Sequence, residues 1–183
     1  LIVSIPLKTI DGLIKIMKLM EESEIMLKSD GSKVYFKFSN VEILTRTIDL
    51  QFPDYKSILN NSKHDKKVLL NTKDFLSILK RASLFVKENK EFKNGATFRF
   101  ENNKLTLKGT NDNARIKEEI ITIQEGENLK ISLNVRFLID YISTIQGKVT
   151  VLELLNEKSS VIIKDESNPN SLYFTMPMSL RES

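Results

Sequence analysis

Apolar residues return along this chain as one helical stripe that occurs three times. With Pro6, Asn71 and Asn134 as anchors, the residues at +4, +7, +8 and +11 are Ile10, Leu13, Ile14 and Met17; Phe75, Ile78, Leu79 and Ala82; and Leu138, Tyr141, Ile142 and Ile145. That spacing puts four apolar side chains on one side of an α-helix each time. The anchors stand 65 and 63 residues apart, so each helix belongs to a repeat. Asn71 and Asn134 are good N-caps, Asp74 strengthens the first as a near capping box, and Pro6 is tolerated in a first turn. Helices of about three turns each are predicted.

Around the helices the period changes from 3.6 to 2. An apolar strand leads into each helix, and short alternating strands follow it. In Lys33-Val34-Tyr35-Phe36-Lys37-Phe38 the residues Val34, Phe36 and Phe38 share a face. Further strands are predicted at 97–100, 104–108, 115–123, 149–155 and 159–164. Turn residues punctuate them at 29–32, 94–95, 102–103, 111–113 and 156–158. Each repeat is then strand, helix and three strands, which gives an α+β fold of β-α-β-β-β units with the helices on one face of antiparallel sheets.

One such unit buries a single sheet face under a single helix and is too small to be stable alone, so units are expected to pair. Residues 63–183 hold two units joined by the short turn Gln124-Glu125-Gly126-Glu127 and are predicted to form a complete domain. Residues 1–62 hold one unit, set apart by the polar segment 56–65. They read as the second half of a domain whose first half is missing. Residues 1–6 accordingly look like a cut, mid-protein strand and not a secretory leader.

Composition removes most catalytic chemistries. The chain of 183 residues has no cysteine, which excludes disulfides and thiolate chemistry and fits a reducing cytoplasm. Its one histidine, His64, lies in a polar stretch and reads as a solvated linker residue. Six glycines and no phosphate-cradling loop leave little for a cofactor site, so none is expected. The carboxylate pairs Glu21-Glu22 and Glu118-Glu119 read as solvated surface. An enzyme is disfavoured.

Basic residues carry more information. With 28 Lys and Arg against 24 Asp and Glu, the net charge of +4 only permits an anionic partner. The column at +2 from the anchors, however, is Lys8, Lys73 and Arg136, and the +9 column supplies Lys15, Lys80 and Ser143. Both columns lie opposite the apolar stripe. A cation in the first helical turn is disfavoured by ~0.3 to 1 kcal/mol through the helix dipole, so its recurrence points to a phosphate-facing surface, with Arg81 flanking it. Two apolar clusters also stand out, Phe52-Pro53-Asp54-Tyr55 and Tyr173-Phe174-Thr175-Met176-Pro177-Met178. A strand can bury only alternate residues of the second cluster in one face, so the remainder should cover another surface, and methionines suit adaptable peptide grooves. Leu84, at +13 from Asn71, falls opposite the stripe and should be exposed, with Phe85 beside it.

On Phe52-Pro53-Asp54-Tyr55 with Ile58-Leu59, Asn134-Val135-Arg136-Phe137-Leu138-Ile139-Asp140, Ser159-Ser160-Val161 and the ending Tyr173 to Met178, the chain resembles the bacterial DNA polymerase III beta subunit, the replicative sliding clamp family. The likeness spans essentially the whole chain and matches the family's carboxyl-terminal half. It implies the DNA clamp fold, with three similar two-unit domains per full-length subunit and a head-to-tail homodimer closed around duplex DNA. It also implies a partner-peptide groove of Pro53, Ile58, Asn134, Phe137, Ser160, Phe174, Met176, Pro177 and Met178. Leu84 and Phe85 would meet the other subunit, and Lys8, Lys15, Lys73, Lys80, Arg81 and Arg136 would face DNA without sequence preference. The implied partners are the DNA polymerase III alpha subunit, the clamp loader and other proteins with a clamp-binding motif, with no membrane contact and a cytoplasmic, nucleoid-associated location. Lys158 and Leu7 depart from residues seen in some relatives. A stand-alone peptide-docking scaffold of similar fold, which never encircles DNA, is the alternative. Taken by itself, the 183-residue chain is expected to be monomeric or weakly self-associated.

Overall fold

The computed structural model describes residues 2–20, 24–50, 52, 54–61, 63–87 and 92–179, apart from the side chains of Ile58, Asn60, Asn61 and Pro169. The chain divides into two compact units, Leu1–Ser57 and Ile58–Ser183. The division falls within the polar segment 56–65 that was expected to separate the repeats, and that segment contains a helix.

In the first unit, α1 (Leu7–Met20) lies on a three-stranded antiparallel sheet of β1 (Met26–Ser29), β2 (Lys33–Phe38) and β3 (Val41–Arg46), in that order. The predicted alternation holds on β2, where Val34, Phe36 and Phe38 are buried with Leu13 of α1. The turn before β2 closes through Gly31, at φ +92°, with the Asp30 carboxylate accepting the Ser32 and Lys33 N–H groups. Two expectations fail here. Residues 2–6 form no strand; the Ile48 N–H bonds to Ser4 O at 2.8 Å and links them to the segment that follows β3. The stripe of α1 is also rolled: Leu13 is buried, but Ile16 and Met20 pack on the core whereas Ile14 is exposed. Among the described residues of this unit no second helix is seen packed on α1 as α4 packs on α3, and Ile14 stays outside the core cluster.

The helix missed by the sequence reading is α2 (Tyr55–Asn61), which contains the division between the units. Asp54 caps it, its carboxylate accepting the Ser57 N–H at 3.2 Å. Asp54 three residues ahead of Ser57 is an ordinary N-terminal signal. Seven residues are too few to show a periodic apolar face.

The second unit contains β4 (Lys66–Asn71), α3 (Thr72–Val86), β5 (Gly95–Glu101), β6 (Lys104–Thr110), β7 (Arg115–Glu125), β8 (Leu129–Asn134), α4 (Val135–Ile142), β9 (Val149–Leu154), β10 (Val161–Asp165) and β11 (Asn168–Thr175). These are two copies of the predicted repeat. Their eight strands form one antiparallel sheet in the order β11-β10-β9-β4-β7-β6-β5-β8. The leading strand of each repeat therefore pairs with the first hairpin strand of the other, β4 with β9 and β8 with β5. Past β11, the Met178 N–H bonds to Ser132 O of β8 at 2.8 Å.

Helices α3 and α4 pack against one another, and their stripes join the strands in a single core. Phe75, Ile78, Leu79, Ala82, Leu138 and Ile142 are all buried in it with Phe98, Phe100, Leu105, Leu133 and Leu152. Gly126, at φ +92°, makes the turn between the repeats, where a Cβ would come within 2.9 Å of Asp65 O and Lys66 Cγ. Only glycine satisfies both the backbone angle and that approach.

The N-caps form as predicted. The Asn71 side chain accepts from the N–H groups of Lys73 and Asp74 at 3.0 and 3.2 Å, and Asn134 accepts from Arg136 and Phe137 at 3.0 and 3.3 Å. Helix α4 is shorter than the three turns expected. The Ser143 and Thr144 hydroxyls bond back to the Asp140 and Tyr141 carbonyls, and the Thr144 and Ile145 N–H groups bond three residues back, so the helix tightens and stops. Because two first-turn N–H groups depend on it, Asn71→Ala is expected to cost about 1 kcal/mol of stability. Urea unfolding checks this, and an unchanged midpoint would show that the cap does not hold α3.

Candidate functional site

The caps at Asn71 and Asn134 also set where Lys73 and Arg136 stand. Each cation occupies the second position of its helix, its own N–H held by the cap, and each side chain is exposed, as is that of Lys80 two turns along α3. On the first unit, Lys8 and Lys15 are exposed on α1. Among the described residues none of these five cations makes an ion pair. Their long side chains are therefore free to meet phosphate, which a planar or fixed partner would prevent.

Arg81 is different. Its Nε and one terminal nitrogen donate to both oxygens of Glu118 on β7 at 2.6 and 2.9 Å, and its other nitrogen donates to Ser77 Oγ at 2.7 Å. The guanidinium holds the Glu118 carboxyl below its usual range, chiefly through that hydrogen bonding. Arg81 thus fastens α3 to the sheet, which weakens its expected place among the DNA-facing cations. Glu118 and Glu119 are likewise not merely solvated. Glu119 accepts from Lys117 at 2.7 Å and Lys104 at 3.1 Å, and those two bonds bring its carboxyl down to about 2.

At the carboxyl end the register sorts the apolar cluster. Tyr173 and Thr175 pair with Ile163 and Val161 and face the core side, whereas Phe174 pairs with Ile162 on the opposite face. Tyr173 stacks on Tyr141 of α4, with ring centroids 5.0 Å apart and an interplanar angle of 15°, and burial pushes its hydroxyl pKa up. One residue past the Val161–Thr175 pair, Met176 is 57% exposed, while Pro177 and Met178 are half-buried. The bond from Met178 N–H to Ser132 O sets this ending alongside β8, two residues before Asn134. Phe137, in the first turn of α4, is 51% exposed, and Ser160 is buried just before β10. The Met178–Ser132 bond thus brings the ending beside β8, two residues from Asn134, and the Val161–Thr175 pair brings Ser160 and Met176 to the same end of the β10–β11 hairpin.

Pro53, Glu21 and Glu22 lie outside the described residues, and so does the side chain of Ile58. Phe52 and Tyr55, both exposed, meet edge to face with centroids 6.0 Å apart. Ile162 was not singled out from the sequence. The signal for it is the unbroken run Val161-Ile162-Ile163, whose middle residue must face away from the core served by its neighbours.

Leu84 is 75% exposed, as its position opposite the stripe predicts. Phe85 is half-buried, and its carbonyl accepts a hydrogen bond from Asn111 Nδ2 at 2.9 Å. His64 is no solvated linker residue: it is half-buried and its Nε2 lies 2.9 Å from Ser160 O. Among the described residues no group of His, Asp and Glu side chains could hold a metal ion, and no helix is long and apolar enough to cross a membrane.

Three comparisons with known proteins bear on this arrangement. The family described as DNA polymerase III beta subunit, C-terminal domain, matches residues 57–179. The beta sliding clamp of Proteus mirabilis is 27% identical over 174 residues, which cover 92% of this chain and 46% of that protein. The clamp of Buchnera aphidicola subsp. Rhopalosiphum padi is 28% identical over 153 residues, 83% of this chain and 40% of that protein. Among solved structures, the DNA polymerase III beta subunit of Thermotoga maritima matches with a TM-score of 0.85 at 25% identity, over 97% of this chain and 47% of that one. The corresponding subunit of Pseudomonas aeruginosa matches with a TM-score of 0.87 at 23% identity, over 97% and 48%. The chain spans about half the length of the relatives it matches.

Proposed function

The chain belongs to the DNA polymerase III beta subunit family, and from that membership we propose that it serves as the carboxyl-terminal half of a sliding clamp, a non-enzymatic processivity factor. The whole assembly encircles duplex DNA as a head-to-tail dimer and holds the polymerase to its template by topology. In this reading residues 1–62 complete a middle domain and residues 63–183 form the last domain, acting in the cytoplasm at the nucleoid. Leu84 and Phe85 meet the other subunit at the ring interface.

The observation that carries the reading is the recurrence of Lys8, Lys73 and Arg136 at one position of three helices, exposed in each. Duplex DNA carries one charge per ~1.7 Å, so such cations attract it without base contacts and release it as it slides. The groove at the carboxyl end would take a short peptide motif from the polymerase alpha subunit, the clamp loader and other partners. Apolar anchors would seat beside Met176 and Phe174, with backbone groups near Asn134 setting their direction.

Salt dependence separates a clamp from a docking scaffold. Association of a full-length clamp carrying this sequence with duplex DNA should weaken steeply as salt rises, by roughly one logarithmic unit per tenfold salt for each phosphate contact. Affinity that does not change between low and high salt would remove the DNA-facing role and leave the scaffold.

A further inference from the structure

The sheet of the second unit has a side away from α3 and α4, and the strand register shows what each half of that side carries. On β5, β6, β8 and residues 115–121 of β7, the residues that alternate with the buried set face outward. Among them Arg99, Lys104, Lys108, Arg115, Lys117 and Lys130 are basic, whereas only Glu101 and Glu119 are acidic, and all but Glu101 are exposed. This half alone has an excess of four positive charges, as large as the net charge of the whole chain at +4. Four of the cations fall on one line. Lys117 pairs with Lys108, Lys108 stands beside Thr97 and so one diagonal step from Arg99, and Arg99 pairs with Lys130. Opposed residues stand about 5 Å apart and diagonal ones about 7 to 8 Å apart, so the line crosses all four strands. Thr97, Thr106 and Ser132 flank it with hydroxyl groups.

The other half of the sheet supplies a comparison, because its register repeats the first. There the equivalent line is Leu172, Lys164, Glu153 and Lys67, in which Glu153 holds Lys164 at 2.7 Å. The positions of Thr97, Thr106 and Ser132 are taken by Val151, Ile162 and Leu69. One architecture thus carries two different outer surfaces, so its packing requires neither the cations nor the hydroxyls.

We propose that the helix-free side of β5, β6, β7 and β8 holds the phosphate backbone of single-stranded DNA, with one phosphate each at Lys117, Lys108, Arg99 and Lys130. Glu101 engages Arg99 at 2.8 Å and Glu119 engages Lys117 at 2.7 Å, but exposed pairs of this kind add little stability, so a phosphate takes the cation over. The hydroxyls donate to the same phosphate oxygens. No aromatic side chain lies on this face, since Phe98 and Phe100 point into the core, so bases have nothing to stack on and no sequence preference is expected. A folded protein partner fits poorly. Such an interface has an apolar centre, and the one large apolar residue here, Ile121, stands at the margin, opposite Lys104. The choice of a single strand rests on the clamp reading, in which duplex DNA meets α3 and α4 on the opposite side of the sheet. The unpaired template beyond the primer end is then the DNA left for this side.

Fluorescence anisotropy of a labelled oligothymidylate titrated with the 183-residue chain tests it. Log affinity should fall against log salt with a slope of about 0.7 for each phosphate held, or about 3 in all. Lys108→Gln combined with Lys117→Gln should halve that slope at an unchanged circular dichroism spectrum. Lys67→Gln combined with Lys164→Gln, which removes the same charge from the other half of the sheet, should leave it as it was. Lysine acetylation of the unaltered chain, read by mass spectrometry, does not depend on any variant folding: the oligothymidylate should protect Lys108, Lys117 and Lys130. Absence of binding at low salt, an equal loss of slope in both double variants, or protection of Lys73 and Lys80 in place of Lys108 and Lys117 would each overturn the proposal. Tighter binding of polyglutamate than of the oligothymidylate would overturn it too, assigning the face to an acidic protein segment. Retention of a loaded clamp on circular DNA is read separately, through Lys73, Lys80 and Arg136, so failure here leaves the clamp reading standing.

Discussion

Replacing Lys73, Lys80 and Arg136 with glutamate should strip a full-length clamp carrying this sequence of its retention on circular DNA while leaving its fold intact. All three side chains are exposed and make no ion pair among the described residues, so their replacement leaves no buried partner there unsatisfied. Lys73 and Arg136 stand in first helical turns, where glutamate is favoured by ~0.3 to 1 kcal/mol. The variant should therefore be as stable as the parent or slightly more so, which separates this effect from unfolding. Each lost phosphate contact should flatten the slope of log affinity against log salt by about 1, giving a change of about 3 for the triple variant. Retention measured by gel filtration of clamp loaded on nicked circles gives the result directly. Unaffected retention together with lost peptide binding would place the helix faces in the partner site and favour the scaffold.

Loss of the peptide anchors should have the next largest effect. Met176→Ala combined with Met178→Ala should weaken a clamp-binding peptide by up to about 3 kcal/mol, as removal of central apolar anchors does. That is more than a hundredfold in affinity. The 183-residue chain is a suitable host, because the residues concerned lie in its second unit, where the carboxyl ending is held by the main-chain bond from Met178 to Ser132. That bond does not involve the methionine side chain, so the ending should keep its course. Isothermal titration with a short peptide of the clamp-binding class measures the change. Equal affinity for variant and parent would remove Met176 and Met178 from the groove, and the exposure of Met176 would then need another cause.

Local chemistry made much of this molecule legible. A stripe such as Phe75, Ile78, Leu79 and Ala82 follows from the helical period alone, and Asn71 and Asn134 cap because their side chains reach N–H groups two and three residues on. The strands of the hairpins, their turns at Asn94, Asn102 and Asn103 with positive φ, and the exposure of Leu84 follow from the same short-range rules. The expected grouping of Phe137 with the carboxyl ending is different in kind. It came from likeness to a family and not from spacing, since no periodicity relates residue 137 to residue 176.

Other features depended on which distant segment arrived beside which. Nothing in the strand pattern of β4 says that its neighbours are β7 and β9, because a backbone edge pairs with any strand offered to it. Arg81 reads as one more exposed cation until Glu118, 37 residues away, accepts from two of its nitrogens, and His64 reads as linker until the Ser160 carbonyl accepts from its ring. The three stripes are equal as sequence, yet Leu79 and Ile142 are buried and Ile14 is not. The repeat's own residues determined that a helix would form with an apolar side. Whether that side was covered depended on a second repeat lying against it, because burial belongs to the pair of surfaces that meet and not to either one.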